Sequence, residues 1–169
     1  GDSDVGMACC NYSRPLAIWM NTIGFDLETT SPKKGKWLAV QECEVVGWSV
    51  AWEDGQAVYV EGVPDLFRAI LADPAYTKVC HNAKFEYTVL RNAGISLVNF
   101  EDTKVAAFLL QHPETRLKTL TRQLLGKDPI TYEQVTKGRD MSEMPVEEIV
   151  EYGAADSDNT RMLWVHYLR

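Results

Sequence analysis

The segment Phe25-Asp26-Leu27-Glu28-Thr29-Thr30 sets two carboxylates two residues apart in a stretch that opens Thr22-Ile23-Gly24. Its β-branched and aromatic residues predict a strand. Side chains alternate across a strand, so Asp26 and Glu28 share one face and Ile23, Phe25 and Leu27 the other. Two unit charges ~4 Å apart at an effective dielectric near ~20 repel by on the order of 4 kcal/mol. Either a divalent cation held by oxygen ligands relieves that repulsion, or the strand lies at a sheet edge and its acidic face meets water.

Two further acids stand where apolar residues are expected. In a helix from Asn82 to about Asn92, Phe85, Val89, Leu90 and Ala93 form an apolar arc, and Glu86 falls inside it. A structural reading exists, since a helix N-terminus favours a negative charge by ~0.3–1 kcal/mol. In a long helix from Pro145 to the end, the apolar stripe steps through Val146, Ile149, Val150, Gly153, Thr160, Leu163, Trp164 and Tyr167 at helical spacing. Asp156 lies on the flank of that stripe, with Tyr152 one turn earlier at i, i+4. Asp158 falls on the polar side with Glu147 and Glu151 and is expected to be solvated. A lone buried acid costs several kcal/mol unless paired. Four acids converging from one strand and two helices would be balanced by two divalent ions. Such ions, ~3.5–4 Å apart, clamp the attacking and leaving oxygens in phosphodiester hydrolysis. Tyr152 could then orient a water through its hydroxyl.

The elements that must position these groups follow from pattern. Strands are expected at about 22–28, at 44–52 and from Ala57, with Asp54-Gly55 as the hairpin turn between the last two. They form an antiparallel meander. Pro64 starts a short helix, Asp65 to Leu71. Tyr76 to Cys80 reads as a strand, Asn82 as a helix N-cap and Gly94 as that helix's C′ residue. Ser96 to Phe100 is a candidate fifth strand. Helices are expected at Thr103–Gln111, Leu117–Leu125 and Tyr132–Thr136 and from Pro145 onward. Leu16–Met20 reads as a short extended piece and Ser31–Lys36 as a turn. The whole is an α/β domain on a mixed sheet, with residues 1–14 as a loose lead-in and 15–169 as one domain.

Composition fits that scale. The chain has 169 residues, 46% hydrophobic and 24% charged, as in an ordinary globular domain. No apolar run approaches the ~20 residues of a membrane span, and the start lacks a signal-peptide pattern. Gly1 in place of Met suggests a processed or engineered boundary. Cys9, Cys10, Cys43 and Cys80 form no C-x-x-C and no zinc spacing with the histidines, so free thiols in a reducing cytoplasm are expected. The net charge of −7 argues against a broad basic surface for duplex nucleic acid. It leaves room for a few nucleotides of single strand around bound metal.

The motifs resemble the 3′–5′ exonuclease (proofreading) domain of family A DNA polymerases, among the DnaQ-like exonucleases of the tyrosine type. Phe25 to Thr29 matches the first motif, F-D-x-E-T. His81-Asn82-Ala83-Lys84-Phe85-Glu86 matches the second, and Tyr152 to Asp156 with Asp158-Asn159-Thr160 the third. Phe100–Thr103, Leu117–Leu120 and Gly126–Glu133 resemble connecting segments. The similarity runs from about Ile23 to the end. It implies a ribonuclease H-like fold, a five-stranded mixed sheet with helices on it, and two divalent cations, Mg²⁺ or Mn²⁺. By the same resemblance Asp26, Glu28 and Asp156 hold the first ion. Asp26 also reaches the second, Glu86 supports it, and Tyr152 acts beside them. Leu27, Thr29, His81, Asn82, Phe85 and Tyr132 would meet the terminal nucleotides of a single-stranded DNA 3′ end. Stacking on aromatics is sequence-tolerant, which suits removal of any nucleotide. A polymerase domain, in the same or a separate chain, is the implied partner, and a bacterial or phage-infected cytoplasm the implied place.

One position departs from the pattern: Glu86 stands where the family usually has Asp. The added methylene moves the carboxylate, and a 1 Å misplacement can cost ~100-fold, so a slower or Mn²⁺-preferring enzyme is expected. Two other readings stay open. One is a degenerate exonuclease fold serving as a structural or DNA-binding module. The other is an RNase D-like or Werner-type exonuclease acting on RNA or structured DNA.

Overall fold

A computed structural model describes residues 21–31 and 40–169. The expected lead-in 1–14, the extended piece at 16–20, most of the turn at 31–36, and Cys9 and Cys10 lie outside the described residues. Within them, five strands form one sheet. They are β1 (Thr22–Thr29), β2 (Val45–Ala51), β3 (Ala57–Glu61), β4 (Thr77–Cys80) and β5 (Phe100–Asp102), in the order β3-β2-β1-β4-β5. β1 pairs antiparallel with β2, and β2 with β3; β4 and β5 run parallel to β1. The meander followed by strand–helix alternation is therefore present. β1 is central, so the edge-strand reading of Asp26 and Glu28 is excluded.

The helices are α1 (Asp65–Ala72), α2 (Ala83–Asn92), α3 (Thr103–Leu109), α4 (Leu117–Leu125), α5 (Tyr132–Thr136) and α6 (Val146–Tyr167), with short 3-10 turns at Val40–Glu42 and Met141–Glu143. No helix among the described residues is long and apolar enough to cross a membrane. Cys43 and Cys80 are free and buried.

Alternation along β1 sorts the molecule into two halves. Ile23, Phe25 and Leu27 enter the main core with Trp48, Val50, Phe67, Leu71, Val89 and Leu90. Trp48 and Phe67 stack there at 4.1 Å between ring centroids. The opposite face carries Gly24, Asp26 and Glu28, and α6 lies on it. A Cβ on Gly24 would stand 2.1 Å from the Ser157 carbonyl oxygen of α6 and 2.8 Å from Arg161 Cβ. Tyr59 of β3 fills the remaining space beside Gly153, where a Cβ would stand 2.7 Å from its ring.

The details depart from expectation at four points. The fifth strand is Phe100–Asp102, not Ser96–Phe100. Val98 N–H donates to the Leu71 carbonyl at 3.1 Å rather than to β4. Asn99, with φ 49°, then turns the chain, its side-chain amide donating to the carbonyls of Pro74 and Tyr76 and its own carbonyl accepting from Lys78 N–H of β4 at 2.9 Å. Asn82 occupies the N-cap position of α2 in a left-handed conformation, φ 86°, without a side-chain cap bond. Asp102 caps instead, accepting from Asn82 N–H at 3.0 Å and Ala83 N–H at 2.8 Å. It also accepts from Lys104 N–H at 2.8 Å and Val105 N–H at 3.3 Å, at the start of α3. The buried face of α6 is Ile149, Tyr152, Gly153, Asp156, Ser157, Asn159, Thr160 and Leu163. Val150 is exposed and Trp164 only half-buried, because helix–strand contact at Gly24 selects the small polar side of the stripe. Asp158 is not freely solvated: Lys127 and Arg161 pair with it at 3.2 and 2.8 Å.

Gly24→Ala is expected to lower stability by roughly 1–3 kcal/mol, the usual cost of overpacking a filled contact. Urea unfolding of the chelated protein measures it, and an unchanged midpoint would refute the close-contact account.

Candidate active site

Three elements bring the acids together, and a fourth brings a cation to them. β1 presents Asp26, half-buried, and Glu28, buried. α6 crosses that face and buries Asp156 and Tyr152. α2 leaves the end of β4, which runs beside β1 with Val79 opposite Gly24. Its first turn buries Glu86. The fourth element, α4, supplies Lys118, whose ammonium ion-pairs with Asp156 and lies 4.3 Å from the centre of the Tyr152 ring.

The charges feel one another. Burial, then the Asp156 charge, pushes the Asp26 carboxyl up to about 8, with Lys118 and a hydrogen bond from Glu28 working the other way. Glu28 is raised well above the usual range by burial, then by Asp26 and Asp156. A hydrogen bond with Asp26 adds to that rise. Glu86 is raised by burial, then by Asp26, Glu28 and Asp102. Asp156 is raised by burial and held back by Lys118 and by the Tyr152 hydroxyl, which donates to it. Burial and the Asp156 charge push Tyr152 upward, so its hydroxyl keeps its proton.

Two oxygens in this cluster, Oε1 of Glu28 and Oε2 of Glu86, are buried without a hydrogen-bond partner. Unsatisfied buried acceptors are costly. Hard oxygen donors of this kind suit Mg²⁺, Mn²⁺ or Ca²⁺. Asp26, Glu28, Glu86 and Asp156 therefore fit divalent ions by donor type and charge. Among the described residues no three acidic, histidine or cysteine side chains close tightly enough on one point to grip an ion as they stand. Lys118 is the cation that faces Asp156 in this arrangement.

The other expected site residues are placed as follows. Asn82 and Thr29 are half-buried, and Phe85 is half-buried against the main core. Tyr132 opens α5 and is exposed. His81 has both ring nitrogens engaged, Nδ1 with Thr103 Oγ1 and Nε2 with the Thr115 carbonyl, each at 2.8 Å. The carbonyl requires a proton on Nε2. Burial lowers the ring to about 4, so it is a neutral strut. Leu27 is buried in the main core on the face away from the acids, so its side chain does not line the site; alternation along β1 forces this.

Lys118 and Tyr59 were not singled out from sequence. Lysine is solvated by default, yet Lys118 lies three residues before the buried Thr121 and so shares its helix face. The Tyr59 hydroxyl is buried without a partner, and burial, then the Glu28 charge, raises it. A cavity of 580 Å³ lies elsewhere, lined by Thr22, Leu124, Arg161, Met162 and His166 among others and by none of the four acids.

A family model described as 3′–5′ exonuclease matches residues 14–167. The chain belongs to that family, in the form found in DNA polymerase I. DNA polymerase I of Treponema pallidum is 36% identical over 66% of this chain and 12% of its own length. The Pseudomonas aeruginosa enzyme is 31% identical over 83% of this chain and 17% of its own. The chain thus spans well under a fifth of the polymerases it matches. Among solved structures, Brucella melitensis NrnC superposes with a TM-score of 0.73 at 22% identity, covering 88% of this chain and 72% of that one. Escherichia coli RNase D superposes with a TM-score of 0.67 at 18% identity, covering 90% and 40%. These neighbours establish the ribonuclease H-like fold.

The raised Asp26 gives a signed pH dependence. A carboxyl whose folded value lies above its unfolded one stabilises the protein below the unfolded value and loses that contribution as pH rises through the folded one. Metal-free wild type is therefore expected to lose stability relative to Asp26→Asn between about pH 4 and pH 8. Chemical denaturation of both proteins across that window tests it; parallel curves would refute it.

Proposed function

We propose that this chain is a metal-dependent 3′–5′ exonuclease that hydrolyses the terminal phosphodiester of single-stranded or frayed DNA and releases nucleoside monophosphates. The observation that carries the reading is the convergence of Asp26, Glu28, Glu86 and Asp156 with partnerless buried oxygens on Glu28 and Glu86. Asp26, Glu28 and Asp156 would hold one divalent ion, and Asp26 with Glu86 would support a second. Bound there, such ions would activate a water and stabilise charge on the leaving oxygen. A structural neighbour, Brucella melitensis NrnC, is known with bound Mg²⁺, which supports this use of the fold.

The chain's own residues do the positioning. The Tyr152 hydroxyl, kept protonated and tied to Asp156, is placed to orient the attacking water rather than to deprotonate it. Tyr132, exposed at the start of α5, and Phe85 on α2 offer faces on which a terminal base can stack. Asn82, held left-handed at the entrance of α2, offers an amide to the same nucleotide. The polymerase relatives favour DNA and a proofreading role beside a polymerase domain. RNA is the second reading, favoured by the likeness to RNase D and to the Trypanosoma brucei RRP6 core.

Degradation of 3′-labelled single-stranded DNA and of matched RNA, with Mg²⁺ and with Mn²⁺, tests the proposal. Wild type should shorten DNA from the 3′ end, and Asp26→Ala should lose at least ~100-fold, as removal of a positioning group costs. Equal activity in both proteins would sink the enzyme reading, and faster RNA loss would reassign the substrate. Glu86→Asp, by shortening the arm, is expected to raise the Mg²⁺-supported rate relative to the Mn²⁺-supported one; an unchanged ratio would show that residue 86 does not set metal preference.

A further inference from the structure

Lys118 sits where the charge balance of the site is decided. Its ammonium pairs with Asp156 and lies over the Tyr152 ring at 4.3 Å. The Asp156 side chain is 5% exposed and that of Lys118 21%, so water screens the pair poorly while the lysine still reaches solvent. Its charge also acts on Asp26 and Glu28. Of the cations recorded in ion pairs among the described residues, the others pair with Glu114, Asp128, Asp158 and Glu148, not with these acids. A divalent ion on Asp156 would stand within a few ångströms of this ammonium, and like charges at that range repel strongly when shielded from water. The ammonium and such an ion would compete for the same Asp156 lone pairs while repelling each other. Lysine's four-carbon stem can withdraw the ammonium toward solvent.

We propose that Lys118 is a built-in counter-cation. It holds Asp156 against Tyr152 in the metal-free protein and competes with a divalent ion for that carboxylate, so ion binding and departure of the ammonium from Asp156 are one event. This rests on the divalent-ion reading of the site. It makes Lys118 a positioning residue that trades ion affinity for a folded, ion-free state. Asp156 and Tyr152 then keep their placement between loadings.

Calorimetric titration of Mn²⁺ into the chelator-stripped chain tests it, with Lys118→Met, Lys118→Gln and Lys118→Arg beside wild type and thermal midpoints recorded in chelator. Loss of the competing charge should tighten Mn²⁺ binding about tenfold in both neutral variants, equal to ~1.4 kcal/mol, and lower their chelated midpoints. Lys118→Arg should stay near wild type in both. A merely structural lysine would lower the midpoint without tightening Mn²⁺. Unchanged or weaker binding in both neutral variants, with wild type still binding, would overturn the competition and leave the metal site standing. Should neither wild type nor the neutral variants take up Mn²⁺, the metal reading falls and the competition with it. Either neutral variant suffices if the other fails to fold.

Discussion

At Gly24 the backbone of β1 and the backbone of α6 approach closely enough that no side chain fits between them. The register of the rest follows from that contact. α6 must lie with its small, polar side on the sheet, which brings Ser157 against Gly24 and sets Asp156 above Asp26. The same approach leaves a slot beside Gly153 that the Tyr59 ring fills. A helix held off by one more methyl group would carry Asp156 and Tyr152 away from the β1 acids together. The geometry of the acid cluster thus depends on a steric allowance at Gly24, two residues before Asp26, against Ser157, the residue after Asp156.

That allowance gathers negative charge in a place shielded from water. Carboxyls raised toward their neutral form at Asp26, Glu28 and Glu86, and one lysine on Asp156, balance the cluster without metal. His81 illustrates the opposite solution nearby. There, burial and two good hydrogen bonds fix a neutral ring that has nothing left to exchange.

The acids were legible because each broke a period. Asp26 and Glu28 alternate against an apolar strand, and Glu86 and Asp156 interrupt helical arcs, so period-2 and period-3.6 patterns both expose them. The meander was legible from Asp54-Gly55 and from runs of β-branched residues. Most of what sequence pattern missed is tertiary in origin. The fifth strand shifted because Val98 spends its N–H on the Leu71 carbonyl and Asn99 turns the chain with its side-chain amide on Pro74 and Tyr76. The α6 face rotated because contact at Gly24 outweighed the apolar side chains of Val150 and Trp164. Leu27 was grouped with the substrate by its motif neighbours, although alternation alone sends it to the core. Lys118 escaped notice because nothing local distinguishes a lysine over a buried acid from one in water.

Asp102 takes four backbone N–H groups at once, two from the entrance of α2 and two from the first turn of α3. One side chain therefore rivets two helices whose loads differ. α2 carries Glu86 into the acid cluster, while α3 presents Val105, Phe108 and Leu109, with Leu110 just past its end, on the outer surface. A tug on that greasy outer helix has a lever arm that ends at Glu86, with a single carboxylate as the pivot.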